Sequence, residues 1–290
     1  MRRFSEHNPI AVAVYFLCVL SVAMFSMDPV ILIISLTGAL ALHFRLQRLS
    51  GGRTHLYTLA LCLFMTLINP LVSHHGATVL FVMNHNPVTL EALLYGTASA
   101  GMIAAVLYWF RSFTCIMTSD RLLYLFGALS PKLSLILSMA MRYVPLFGHQ
   151  ARRTRQAQQA LGLYREDNLI DSLRGDARIF SVLMTWALEN GVITADSMAA
   201  RGYGIGRRSR FSIFRFTLRD GLLILLSLLL AGGTFWAIHA HAFTYYPVIS
   251  AAPATLRVIP GFAAYALLAL LPLLIDAKEA IRWRCLQSGI

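Results

Sequence analysis

"GLLILLSLLLAGGTFWAIHAH" (Gly221–His241) runs its whole length without an Asp, Glu, Lys or Arg. A helix rises about 1.5 Å per residue, so about 20 such residues cross the roughly 30 Å hydrocarbon layer of a bilayer. Five more charge-free runs of similar character stand elsewhere: Ile10–Met27, Pro29–Phe44, Thr54–Ser73, Ala92–Phe110 and Val258–Ile275. Pro9, Asp28-Pro29 and Asn69-Pro70 punctuate their ends, where prolines start or stop helices. The chain is 57% hydrophobic and only 13% charged, too little charge to cover a soluble domain of 290 residues. These features predict an all-α polytopic membrane protein with about six transmembrane helices.

Charge placement predicts the orientation. Met27–Pro29, His74–Glu91 and Ala242–Arg257, the loops on one side, hold a single basic residue, Arg257. Every other Lys and Arg falls at the N-terminus, in Arg45–Arg53, in Arg111–Arg219 or after Asp276. The positive-inside rule therefore expects a multi-pass protein of the cell membrane with both termini and residues 111–219 cytoplasmic. The net charge of +12 follows the flanks of apolar runs, so it speaks for the lipid bilayer and not for nucleic acid. Cys18, Cys62, Cys115 and Cys285 form no CxxC pair and suggest neither a metal site nor a disulfide framework. The first run lacks a small-residue cleavage site and is expected to be a retained span.

Three regions follow: N-terminal transmembrane helices (1–110), a cytoplasmic helical coupling platform (111–219), and C-terminal transmembrane helices with a basic tail (220–290). In the middle region, Leu122–Leu129 and Leu133–Met141 are too short, and too interrupted by Pro131, Lys132 and Arg142, to span. They read as amphipathic helices at the membrane surface. Phe180, Leu183, Ala187, Gly191, Ala195 and Met198 recur at helical spacing and mark one face of a helix.

Absent motifs exclude several activities. Neither Lys132 nor Lys278, the two lysines, sits in a glycine-rich loop beside Ser or Thr, so no nucleotide-binding P-loop is present. No HExxH or GxSxG occurs, which removes the signatures of metalloproteases and serine hydrolases. The predicted spans bury no carboxylate near their middle, where an ion-coupled carrier would need one. An enzyme is not expected, and no cofactor is implied.

Two stretches of the platform are alike. "QARRTRQAQQALGLY" (Gln150–Tyr164) and "ITADSMAARGYGIGRRSR" (Ile193–Arg210) each end a small-residue helix at a glycine, Gly162 or Gly202. Glycine takes the left-handed position past a helix end without steric cost. The plain reading is two ordinary helix stops, with Arg201 a solvated charge near a C-terminus. The functional reading is two blunt knobs offered to a partner groove, Ala160-Leu161-Gly162 and Ala200-Arg201-Gly202. Arg201 brings a fork of donors suited to a carboxylate or to carbonyls.

"ADSMAARGYG" (Ala195–Gly204) resembles the Ala-Arg-Gly signature of the transmembrane T component of energy-coupling factor transporters, the EcfT family and its CbiQ-type cobalt/nickel relatives. Asn69–Gly96, "SPKLSLILSMAMRYVPLF" (Ser130–Phe147) and Thr185–Gly204 are similar to the same family. The resemblance implies a non-catalytic scaffold gripped through two coupling helices by two ATP-binding-cassette ATPase subunits. It also implies a small membrane-embedded S component that captures a vitamin or other micronutrient. The first motif departs from the family at Leu161, which has no guanidinium. That knob would dock by packing or borrow Arg152, Arg153 or Arg155.

Other candidates are weaker. His74, His75, His85, His239 and His241 fall on the predicted outer side, where a nickel or cobalt site competes with plain interfacial polarity. Arg142, Asp171, Glu189 and Asp196 are candidates for ion pairs within the platform. Tyr245-Tyr246, Trp109, Trp236 and Trp283 read as membrane-interface anchors. The alternatives to a vitamin-type T component are a T component dedicated to cobalt or nickel and a stand-alone secondary carrier.

Overall fold

A computed structural model describes residues 4–47, 52–72, 76–83, 86–163, 169–206, 214, 216–240, 243–247, 250–251 and 258–287. Nine α-helices appear among them: α1 (Pro9–Phe25), α2 (Pro29–Gln47), α3 (Gly52–Val72), α4 (Leu90–Ile116), α5 (Ser119–Leu129), α6 (Pro131–Ala160), α7 (Leu169–Ala200), α8 (Leu218–Ala240) and α9 (Ile259–Gln287). Five of them (α2, α3, α4, α8 and α9) are long and apolar enough to cross a membrane, and α1 is an apolar helix of 17 residues. The chain is an all-α, multi-pass membrane protein. It divides into two compact units, Met1–Arg121 with Phe214–Ile290, and Leu122–Ile213.

Local chemistry sets the helix starts. Asn8 Oδ1 accepts the Ile10 amide of α1, and Asp28 Oδ1 accepts the Val30 amide of α2. Pro9, Pro29 and Pro131 open their helices, where a missing N–H costs nothing. The helices outrun the charge-free stretches: α4 continues past Phe110 to Ile116, and α9 past Ile275 to Gln287. Counting stops at the first charge, whereas a helix carries Arg111 or Asp276 out to the interface without breaking.

In the membrane unit, aromatic side chains knit α1 to α4. Phe16 lies edge-on to Trp109 at 6.2 Å and to Phe113 at 5.4 Å, with Tyr15 edge-on to Phe16 at 5.3 Å. Trp109 is fully buried and donates its indole N–H to Ser35 Oγ of α2 at 3.1 Å. It is therefore a core residue and not the interface anchor its position near a span end suggests. Trp236 and Trp283 are exposed, as anchors would be, while Tyr245 is buried and donates to the Met27 carbonyl at 2.8 Å.

At the basic end, the N-terminal segment is fastened to two carboxylates. His7 Nδ1 lies 2.7 Å from Asp220 Oδ1, which also accepts the Asn8 amide. Thr217 donates its amide and hydroxyl to Asp220 Oδ2 at 2.9 and 2.7 Å, and the Phe4 amide donates to Asp276 Oδ1 at 2.9 Å. Asp220 is 1% exposed, so its removal leaves several buried donors unpaired. Asp220→Ala is expected to cost about 2 kcal/mol, read as a lower midpoint of thermal unfolding in detergent. Asp220→Glu should lose less.

The opposite end holds structure that the sequence did not announce. Strands β1 (Val79–Met83) and β2 (Asn86–Thr89) form an antiparallel hairpin, and β3 (Phe243–Thr244) pairs with β4 (Ser250–Ala251). The Ala77 amide donates to the Pro247 carbonyl, tying these two segments together. Glu91, at the start of α4, accepts the Thr78 hydroxyl at 2.7 Å.

Candidate functional site: two helix tips

The unit Leu122–Ile213 is built around two long helices, α6 and α7. Tyr143 Oη and Thr194 Oγ1 share a hydrogen bond at 2.9 Å, and Phe147 meets Trp186 edge-on at 5.7 Å. Arg155 Nη2 lies 2.7 Å from Asp176 Oδ1. Partners thus climb on α7 as they descend on α6, and the two helices pack antiparallel. α6 continues through Pro145 as one helix, where the sequence suggests separate pieces.

Both helices end in the same way. The Leu163 amide donates to the Gln158 carbonyl at 2.9 Å and the Gly162 amide to Gln159 at 3.0 Å. The Tyr203 amide donates to Met198 at 3.0 Å and the Gly202 amide to Ala199 at 2.9 Å. This doubled pattern is a Schellman closure, which satisfies the last carbonyls of a helix only if the residue past its end is left-handed. Gly162 and Gly202 supply that conformation, with φ of 66° and 80°. Ala160, Leu161 and Gly162 are exposed, as are Ala200 and Arg201, while Gly202 is partly so. Because α6 and α7 are antiparallel, the two knobs point away from opposite ends of the pair. At 1.5 Å per residue, they stand on the order of 40 Å apart.

Their surfaces differ. The Arg201 guanidinium has no ion-pair or hydrogen-bond partner among the described residues. At the first knob Leu161 is 73% exposed, and Leu163, Leu169, Ile170 and Leu173 are exposed around it. Arg155, a candidate to replace the missing guanidinium, is engaged by Asp176. Arg152 lines a groove of about 380 Å³ with Gly148, Ala151 and Ile179. The sequence did not flag this apolar surround, because apolar residues alone do not say whether another element will cover them. Nor did it flag Gln158, which is buried with its Oε1 unbonded among the described residues.

Of the candidate ion-pairing residues, Asp171 lies 3.9 Å from Arg174, a loose surface contact. Arg142, Glu189 and Asp196 form no ion pair among the described residues; Arg155–Asp176 is the close pair in this unit. No group of three or more His, Cys, Asp or Glu among the described residues could hold a metal ion. His74, His75, His85 and His241 lie outside the described residues.

The chain is 30% identical over 103 residues to the energy-coupling factor transporter transmembrane protein EcfT 1 of Listeria monocytogenes. It is 31% identical over 106 residues to EcfT of Lacticaseibacillus paracasei, and 31% over 101 residues to EcfT of Streptococcus equi. Over about a third of its length, the chain is thus similar to EcfT transmembrane proteins of energy-coupling factor transporters. The matches cover 35%, 34% and 34% of this chain and 39%, 40% and 38% of the respective EcfT proteins. The chain thus spans about two fifths of the curated EcfT relatives it matches. No family model matches it.

Proposed function

We propose that this chain is a T component of the EcfT type, the non-catalytic scaffold of an energy-coupling factor transporter. Two ATP-binding-cassette ATPase subunits grip it on the cytoplasmic side, one at Ala160-Leu161-Gly162 and the other at Ala200-Arg201-Gly202. Their closure on ATP is passed through α6 and α7 to a membrane-embedded S component, which delivers a vitamin or other micronutrient. The observation that carries this reading is the pair of exposed, identically closed helix ends at opposite extremes of one rigid helix pair. Two knobs on the order of 40 Å apart suit two separate grooves better than one. A tip closed by a Schellman motif moves with its helix, so a pull on either end turns the whole pair.

The faces of the same helices support a further membrane partner. Ile136, Val144, Phe180, Leu188, Val192 and Ile193 are all exposed. So much exposed hydrocarbon on one helix pair is the mark of a surface covered by protein or lipid. The S component is the occupant this reading assigns.

Reconstitution separates the scaffold from a self-sufficient carrier. The chain alone in proteoliposomes is expected to move no solute down an ion gradient. Affinity purification from the native membrane should bring down two ATPase chains and a small membrane protein, identified by mass spectrometry. Ion-driven uptake by the isolated chain would overturn the proposal.

A further inference from the structure

α3 and α4 meet through a glycine at one end and through large side chains at the other. Near the β-hairpin a Cβ on Gly96 would meet the Thr66 carbonyl at 3.0 Å, and Asn69 Nδ2 donates to the Ala92 carbonyl at 2.8 Å. Small residues let the backbones touch there. Toward the basic end the facing side chains are large: His55 Nδ1 bonds Tyr108 Oη at 2.8 Å, with their rings stacked at 5.6 Å. Beside them lies a groove of about 450 Å³ whose lining includes Thr54, Tyr57, Thr58, Arg111 and Thr114. Leu61, Leu107 and Phe110 form its apolar wall.

The groove is rich in donors and poor in counter-charge. Arg111 is partly buried, yet among the described residues no carboxylate pairs with its guanidinium. The Thr54 and Tyr57 hydroxyls make no hydrogen bond among the described residues. The hydroxyls of Thr58 and Thr114 donate to the carbonyls of Thr54 and Phe110, on their own helices. A ligand suited to this lining presents anionic oxygens to Arg111 and hydrocarbon to the Leu61–Phe110 wall. The outer face of α3 points the same way: Leu56, Leu59, Leu63 and Phe64 are 57–68% exposed beside it, as on a lipid-facing helix.

We propose that this groove binds the phosphodiester headgroup of an anionic phospholipid, with Arg111 as its cationic partner and the acyl chains lying along α3. A basic pocket between membrane helices at the headgroup level is where such a lipid gains both charge pairing and apolar contact.

The test is native mass spectrometry of the full-length chain, released from detergent with phosphatidylglycerol or phosphatidylcholine and with inorganic phosphate as competitor. Wild-type protein is expected to retain one phosphatidylglycerol about fivefold better than phosphatidylcholine, the worth of one arginine at an anionic surface. Arg111→Gln should erase that preference, Arg111→Lys should keep much of it, and Arg284→Gln, on an exposed stretch of α9, should leave it intact. Millimolar inorganic phosphate should not displace the lipid. An unchanged preference in Arg111→Gln, an equal loss in Arg284→Gln, or displacement by phosphate would each overturn the assignment. The Arg111→Lys protein covers the case in which Arg111→Gln does not fold.

Discussion

Arg201→Glu is expected to abolish ATP-driven uptake and to release the ATPase subunits from the purified complex, while leaving the chain itself folded in the membrane. The side chain sits at the end of α7, exposed and with no ion-pair partner among the described residues, so its replacement breaks no internal contact. Its only local role is to complement the helix C-terminus, worth about 0.3–1 kcal/mol. The cost appears in the complex. A guanidinium taken into a partner groove pairs with carboxylate or carbonyl oxygens. Truncating one member of such a buried pair costs about 2–5 kcal/mol, and reversing its sign adds repulsion. That corresponds to a loss of at least about thirtyfold in affinity. Arg201→Lys keeps the charge but loses the planar fork, and should retain assembly in part. Co-purification of the ATPases with each variant, measured beside uptake in proteoliposomes, reads the series. Full assembly and full uptake with Arg201→Glu would show that the second knob is an ordinary helix stop.

The same comparison at the first knob gives the opposite ranking. Leu161 occupies the position of Arg201 on a backbone closed by the same hydrogen bonds, yet it stands among exposed leucine and isoleucine side chains. An apolar groove would reject a charge at this point, whereas an acidic one would welcome it. The two ends of the α6–α7 pair thus share a shape and differ in chemistry.

The fold was legible where one physical rule acts alone. A bilayer demands about 20 apolar residues per crossing, and six runs meet or approach that length, so the spans could be read directly. The helix ends at Gly162 and Gly202 were legible for a similar reason, since small residues running into glycine have few other meanings. The rest depended on partners far away in sequence. Nothing near Trp109 says that Ser35 will accept its N–H, and hydrophobicity does not separate a lipid-facing tryptophan from a core one. Nothing near Asp220 announces His7, which is 213 positions distant. The β1–β2 hairpin escaped because "VLFVM" is as compatible with a helix as with a strand until its partner is known. Arg155 looked available for docking, and only the antiparallel packing that brings Asp176 beside it withdraws it.

Gly261→Val is expected to be the most damaging single change in the membrane unit. Gly261 is buried in the first turn of α9, where a Cβ would overlap the Ala237 Cβ of α8. The obstacle is a methyl fixed directly to a helix backbone, not the end of a flexible side chain. Only separation of the two helices would make room. Overpacking a well-filled core costs about 1–3 kcal/mol when side chains can rotate away, and more when a backbone must shift. α8 and α9 also hold Asp220 and Asp276, the two carboxylates that fasten the N-terminus, so parting them loosens that end as well. We expect little monodisperse protein after solubilisation and a sharply lower unfolding midpoint for what remains. Gly232→Val is the control: the position lies on the same helix as Ala237, a Cβ there meets nothing within 4 Å, and yield should match wild type. Equal yields from the two variants would mean that α8 and α9 do not approach at Gly261.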